Sequence, residues 1–408
     1  MLEHVKGNPN SALTGPILID DDGVPRFWPL VWAIYQTIGA ASSLEKKLRY
    51  IEALYSHSQE ISGPSLLDLD SAITRMDVEQ LTSLLQAYYI HVANSNRITP
   101  ASQYKWRSAI KFVLAVANLR LNAPSSREEI DLLRTAIAEL TLINQPLYSS
   151  RQSRPTRVRA LPAEVVDHLY ALLDPTSQKN PFRRLRTIWN AWILFILFLH
   201  QGLRRGEILS APCNAIFSGQ DRNSGQERFW IRVKSNQYEE DERYSKPCHK
   251  NEFSPRTLPI ARNLAHAVDE YVNNYRGKPN HSFLMNSSWD TALSTESVTH
   301  IFRTISEALP SNIRKVLRDH TDCESITPHD LRHTCAVLRL NQFLTLGIDR
   351  KTAIENLRVL FGWSKDSTMP LLYARAVFES GLADVWRKNF DDRVDILRAL
   401  LAERASSG

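Results

Sequence analysis

Cysteine and glycine are scarce in this chain, and long apolar runs are missing. The four cysteines, Cys213, Cys248, Cys323 and Cys335, lie far apart with no CxxC spacing. That pattern excludes a disulfide framework and an ordinary zinc site, and it fits thiols held in a reducing compartment. Cys248-His249 is the one metal-like pair, and a pair alone reads as incidental. The longest apolar run, Ala191 to Leu199, is far shorter than the about 20 residues a bilayer span requires, so it reads as a core helix. The N-terminus lacks the basic-then-apolar pattern of a secretory signal, and the expected location is cytoplasmic. Internal repeats and low-complexity tracts are missing too.

What is present is the composition of an ordinary globular protein, 43% hydrophobic and 23% charged, over a length that suits two or three domains. The net charge of +6 is unevenly spread. Residues 1–150 carry 13 Lys/Arg against 15 Asp/Glu, whereas residues 151–408 carry 37 against 29. A basic second half favours a polyanionic partner, because each phosphate contact releases counterions. A solubilising surface would account for the same charge.

Residues 1–27 are polar and turn-rich and read as a leader or a small strand. From 28 to 145 the apolar spacing is helical, with segments expected near 29–39, 42–57, from Asp77, over Pro100 to Leu119, and over Ser125 to Leu142. The third carries Leu81, Leu84, Leu85 and Tyr88 at intervals of three and four, the signature of an amphipathic bundle. Residues 146–162 form a linker in which Arg151, Arg154, Arg157 and Arg159 are closely spaced, and an extended stretch of this kind can track a phosphate backbone. A second domain, 163–381, opens with helices. It turns β-like where Phe229, Ile231 and Val233 alternate with Trp230, Arg232 and Lys234, and a strand returns over Arg256 to Ile260. The connection between the two strands is long and acidic at Glu239 to Glu242. Residues 382–408 read as a charged amphipathic helix.

Three short motifs stand out. In Thr327-Pro328-His329-Asp330-Leu331-Arg332-His333-Thr334, Thr327 is placed to cap a helix, Pro328 suits its first position and Asp330 completes a capping box. His329 then falls in the first turn, with Arg332 three residues on. A helix N-terminus bearing both is a natural phosphate site, although such a pair also occurs as a plain surface cap. In Gly202-Leu203-Arg204-Arg205-Gly206-Glu207, an arginine follows the most apolar helix of the chain. It must be solvent-facing or paired, and Glu207 is in reach to orient it. Third, Gly362-Trp363-Ser364 precedes a short helix expected from Thr368 that carries Tyr373 and ends by Gly381.

The order Arg-x-x-Glu, a lysine-bearing strand pair, His-x-x-Arg-His-Thr, Gly-Trp-Ser and Tyr resembles the tyrosine recombinase (phage integrase) family across roughly 160–380. The segment Ser102 to Ile110 is similar to the last long helix of the family's core-binding domain. The resemblance implies a mainly α fold with a small antiparallel β-sheet: a helical, SAM-like core-binding domain and an α+β catalytic domain, together forming a C-shaped clamp on double-stranded DNA. It implies that Arg204 and Arg332 hold the scissile phosphate, that Tyr373 attacks phosphorus, and that His329 takes the tyrosine proton. Lys234 then protonates the leaving oxygen, with Lys246 and Lys250 as rivals for that role. Trp363 stands where most members have a second histidine, and Glu207 supports the site. No metal and no cofactor are expected. Lys105, Arg107, Lys111 and the linker arginines are candidate DNA contacts.

The resemblance further implies a nucleoid-associated tetramer assembled on DNA, with the C-terminal helix passed between subunits. The expected biological task is movement of a mobile element or related strand exchange. A type IB topoisomerase-like relaxing enzyme, or a DNA-binding protein with a decayed site, are the alternatives. The intervals from Arg332 to Trp363 and from Trp363 to Tyr373 exceed the family's usual spacing, and an extended helix or loop is expected around Asn341 to Asn356.

Overall fold

In a computed structural model the chain folds as two compact units, Met1–Ser153 and Arg154–Gly408. The structure describes residues 1–5, 15–35, 41–62, 69–94, 100–121, 126–144, 158–220, 225–247, 249 and 252–379. The sequence-derived helix 382–408 and the linker residues Arg151, Arg154 and Arg157 lie outside them.

The first unit opens with an antiparallel ribbon, β1 (Leu2–Val5) and β2 (Gly15–Leu18), in which Leu2 pairs with Leu18. Helices follow: α1 (Phe27–Tyr35), α2 (Ala41–Ser62), α3 (Leu69–Arg75), α4 (Val78–Asn94), α5 (Pro100–Leu121) and α6 (Arg127–Asn144). The apolar spacing reads out directly as burial, since Leu81, Leu84, Leu85 and Tyr88 of α4 all face the core. Leu18 joins that core, so residues read from the sequence as a leader or a small strand pair as short strands and contribute to the unit. On α5 the buried residues Trp106, Ile110 and Val113 leave Lys105, Arg107 and Lys111 exposed. Helix α3 escaped the sequence reading because seven residues are too few to show a 3.6-residue period.

The second unit is built around α8 (Leu185–Gln201), preceded by α7 (Ala163–Leu173). Every residue of α8 from Trp189 to Gln201 is buried, as the apolar run required. Two of its polar members are visibly paired: Asn190 donates to the Asn286 carbonyl at 2.7 Å and accepts from the Tyr271 hydroxyl at 2.7 Å. His200 meets the Tyr170 hydroxyl at 2.5 Å, and burial together with nearby Arg339 lowers its pKa to about 3, so it serves the core as a neutral ring.

After the one-turn helix α9 (Arg205–Leu209) comes an antiparallel sheet in the order β3 (Ile216–Gln220), β4 (Glu227–Val233), β5 (Arg256–Ile260). The alternation seen in the sequence places Ile231 and Val233 inward and Arg232 outward. Val233 pairs with Arg256, so Lys234 and Arg256 stand at the same end of the strand pair. The connection between them is anchored: Glu239 accepts from the Ser282 N–H at 2.7 Å, and Arg243 bonds both Asp241 and the Leu293 carbonyl. Helix α10 (Arg262–Glu270) continues into a π turn, Tyr271–Tyr275, and α11 (Thr295–Glu307) and α12 (Ser311–Thr321) complete the main core.

The last three described helices, α13 (Pro328–Thr345), α14 (Arg350–Phe361) and α15 (Met369–Glu379), enclose a satellite core of Cys335, Leu340, Leu357, Phe361, Trp363 and Tyr373. The long interval after Arg332 is thus a helix, a short turn at 346–349 and a second helix capped by Asp349.

Candidate active site

Three chain turns converge on one place. The first is the end of α8. Gly202 adopts φ +59°, a left-handed conformation that costs a side-chain-bearing residue about 1–2 kcal/mol. A Cβ added there would also collide with the Phe361 ring. Gly202→Ala should therefore destabilise the second unit by about 2–4 kcal/mol, backbone strain and overpacking together, read as a shift in the urea midpoint.

The turn delivers Arg204 and Glu207. Glu207 accepts from the Arg204 backbone N–H at 2.8 Å and from its guanidinium at 2.7 Å. The returning strand β5 adds Arg256, whose two terminal nitrogens reach the two carboxylate oxygens at 3.0 and 3.1 Å. One fully buried carboxylate thus holds two guanidinium groups, with a third, Arg332, at 3.9 Å. Burial pushes the Glu207 carboxyl up, but Arg256, Arg332 and the Arg204 amide outweigh it and bring the pKa down to about 2.

The second turn is the start of α13. The expected capping box is present: Thr327 accepts from the Asp330 amide, and Asp330 accepts from the Thr327 amide at 2.8 Å. Its two histidines and its arginine go different ways. His329 is exposed, whereas Arg332 is 2% exposed and points inward. Arg332 donates to the Gly202 carbonyl and, at 2.7 Å, to the Phe361 carbonyl, with its guanidinium lying 4.8 Å from the Phe361 ring centre. Burial and the neighbouring Arg204 lower its pKa to about 9, which leaves it charged at neutral pH.

The third turn is the αL end of α14 at Gly362. The Gly362 carbonyl accepts from Arg204 at 3.0 Å, and Trp363 follows. Phe361, Trp363 and Tyr373 form a near-parallel stack, with centroids 4.9 and 5.4 Å apart and 16° between planes in each pair. Tyr373 is 1% exposed, and its hydroxyl meets His333 Nδ1 at 2.6 Å.

The arrangement gathers Arg204, Glu207, Arg332, Trp363 and Tyr373 in one place, and the residue that meets the hydroxyl bearing the tyrosine proton is not the expected one. The resemblance gave that proton to His329, but α13 turns His329 outward and brings His333, one turn further along, to the phenol. The two imidazoles touch edge to face with centroids 4.4 Å apart. Lys234 is half-buried, with its ammonium on Gln237 Oε1 at 3.1 Å, and Lys246 is exposed. Lys250 lies outside the described residues.

Two members were not foreseen. Arg256 was legible only as the first residue of a strand. Ser254, whose hydroxyl accepts from Arg204 at 3.3 Å and whose carbonyl accepts from Arg256 at 2.6 Å, had no sequence signal. Arg159, from the linker, lies 3.9 Å from the Asp330 carboxylate. Arg204, Arg256 and Arg332 against one carboxylate leave the site with excess positive charge, and on Arg204 the Nε–H and one Nη2 hydrogen stay outside the bonds described.

The chain belongs to the phage integrase family, the tyrosine recombinases: the family model matches residues 160–379, more than half of the sequence. This places it, at the level of the family, among proteins of DNA recombination. Comparison with curated proteins gives no match. The crystal structure of XerA recombinase is similar at 14% identity, covering 84% of this chain and 99% of that one, with a TM-score of 0.34, too loose a superposition to bear on function. Among the described residues no helix is long and apolar enough to cross a membrane.

Proposed function

We propose that this protein cuts and rejoins DNA at specific sites through a 3′-phosphotyrosyl intermediate on Tyr373. The observation that carries the reading is the buried arginine cluster beside a tyrosine. Three guanidinium groups share one carboxylate, so the site is short of negative charge, and a phosphodiester supplies it. The charge shortfall grows more useful as the phosphate becomes a doubly charged pentacoordinate species, which is the condition for transition-state stabilisation. Arg204 holds one non-bridging oxygen through the edge that Glu207 leaves open. Arg332, fixed by two carbonyls, sets the field behind it. The covalent link stores the bond energy, so no nucleotide cofactor is needed. Trp363 donates its indole N–H or packs, but it cannot move a proton. Lys234, at the strand end shared with Arg256, is the candidate acid for the leaving 5′-oxygen.

In this reading the exposed Lys105, Arg107 and Lys111 of the first unit contact DNA phosphates, as do the linker arginines, and the two units act as a clamp. Tetramer assembly, exchange of residues 382–408 between subunits and movement of a mobile element belong to the same proposal. The test is covalent capture on nicked duplexes, which lose the cleaved end and trap the adduct. The duplexes are taken from DNA flanking the coding region and from a pool randomised at the crossover. Wild-type protein should form a detergent-stable adduct on a discrete subset of sequences. No adduct from either source overturns strand transfer in favour of a binding protein. Plasmid relaxation without any recombinant junction favours the topoisomerase instead.

A further inference from the structure

The Tyr373 hydroxyl must lose a proton if it is to bond phosphorus, and the geometry limits where that proton can go. Tyr373 is 1% exposed and His333 6%, so bulk water does not reach the hydroxyl freely. Trp363 lies flat on the phenol face, 16° from parallel, and its nitrogen is a donor only. His329 is exposed in the first turn of α13, and its ring packs edge to face on that of His333, one turn further in, with centroids 4.4 Å apart. The atom that meets the hydroxyl is His333 Nδ1, at 2.6 Å.

Resting on the strand-transfer reading above, we propose that His333 is a catalytic residue that holds the Tyr373 hydroxyl and takes its proton as the oxygen bonds to phosphorus. The ring is suited to accept. Burial first, then the electrostatic influence of nearby His329, Arg159 and Arg332, lowers the His333 pKa to about 3, so at neutral pH the imidazole is unprotonated. Acceptance at Nδ1 requires the tautomer with hydrogen on Nε2.

In the step itself the O–H bond of Tyr373 breaks, its electron pair forms the bond to phosphorus, and the proton moves to Nδ1. The P–O5′ bond breaks with its pair on the 5′-oxygen, which takes a separate proton from the acid assigned to Lys234. Rejoining reverses both transfers. The surroundings that keep His333 neutral also keep Tyr373 protonated in free protein, because burial holds the phenol pKa well above its ordinary value. An arriving phosphodiester offsets the charge of Arg332 and Arg204, and only then is an imidazolium tolerated. The nucleophile is thus dormant until DNA is seated.

The experiment uses the full chain and the duplex recovered by covalent capture, made with either oxygen or sulfur as the 5′-bridging atom. A thiolate leaves without protonation, so sulfur relieves defects in the acid but not in the base. His333→Gln keeps the size of the ring and an acceptor oxygen but cannot take up the proton. It should slow single-turnover adduct formation about 10²–10³-fold, with sulfur giving no recovery. Replacing tyrosine by 3-fluorotyrosine lowers the phenol pKa and should narrow the deficit of H333Q. Thermal melting and retention of the same duplex check that H333Q folds. A rate within about threefold of wild type, recovery by sulfur, or a deficit untouched by fluorination overturns the proposal. Failure of the wild type itself to form an adduct overturns strand transfer instead.

Discussion

Tyr373→Phe should bind the captured duplex as wild type does and form no covalent adduct with it. The substitution removes one oxygen and little else. The ring remains stacked on Trp363 at 5.4 Å, so the satellite core of α13, α14 and α15 keeps its packing. His333 Nδ1 loses its partner in a buried setting, which costs about 1–3 kcal/mol and leaves the unit folded. The basic side chains proposed to meet DNA, Arg204, Arg256 and Arg332 in the site and Lys105, Arg107 and Lys111 in the first unit, make none of the described hydrogen bonds to the hydroxyl, whose partner is His333. Mobility shift should therefore give an affinity close to that of wild type, while the denaturing gel shows no retarded band.

No second tyrosine lies near Tyr373 in the sequence. None follows Tyr373 in the sequence, and the nearest before it, Tyr275, is stacked on Trp189 at 4.1 Å in the main core, on the π turn after α10. An adduct in Y373F would sink the assignment of the nucleophile. Loss of both adduct and binding would point to a folding defect, which melting of the variant resolves.

The parts of this site that could be read from sequence are those fixed by neighbours in the chain. Thr327, Pro328 and Asp330 announce a helix start because a capping box closes within four residues. Arg204 and Glu207 are one turn apart and bond each other for the same reason. The run from Ala191 to Leu199 reads as a core helix because apolarity on every side leaves a helix nowhere else to go. What escaped is long-range. Arg256 reaches Glu207 across 49 positions, and nothing local to either residue announces the contact. β3 was not seen, since Ile216–Gln220 is a short edge strand without apolar alternation.

His333 is the intermediate case. Four residues after His329, it falls on the same side of α13 by helical spacing alone. Which imidazole meets a tyrosine 40 positions away depends on how α15 docks, and only side-chain direction in the folded unit decides that. The family pattern pointed to the outer histidine, and the inner one makes the bond.

Glu207→Gln should cost the second unit about 3–5 kcal/mol and remove adduct formation, because it unbalances the arginine cluster at its centre. In wild type the carboxylate accepts four hydrogen bonds, two from Arg204 and two from Arg256, and fills both oxygens. The amide replaces one acceptor oxygen with a donor, which then faces guanidinium N–H groups. It also removes the negative charge that these arginines share. For a unit of this size the loss corresponds to a fall in Tm of roughly 10 °C.

The pH dependence gives a sharper readout than the melting point. The Glu207 pKa is lowered to about 2 in the folded protein, against about 4.3 for an unfolded glutamate. A depressed carboxyl stabilises the fold above its unfolded pKa, and that contribution drains away as pH falls through the folded value. The window is therefore pH 5 down to about 2, and the contribution is of order 3 kcal/mol. Glutamine does not titrate, so the stability gap between wild type and E207Q should be widest above pH 5 and shrink by about that amount towards pH 2. Urea unfolding at a series of pH values measures the gap directly. A gap that stays constant across the window would mean that Glu207 is not the charged centre of the cluster, and the electrostatic account of the phosphate site would fall with it.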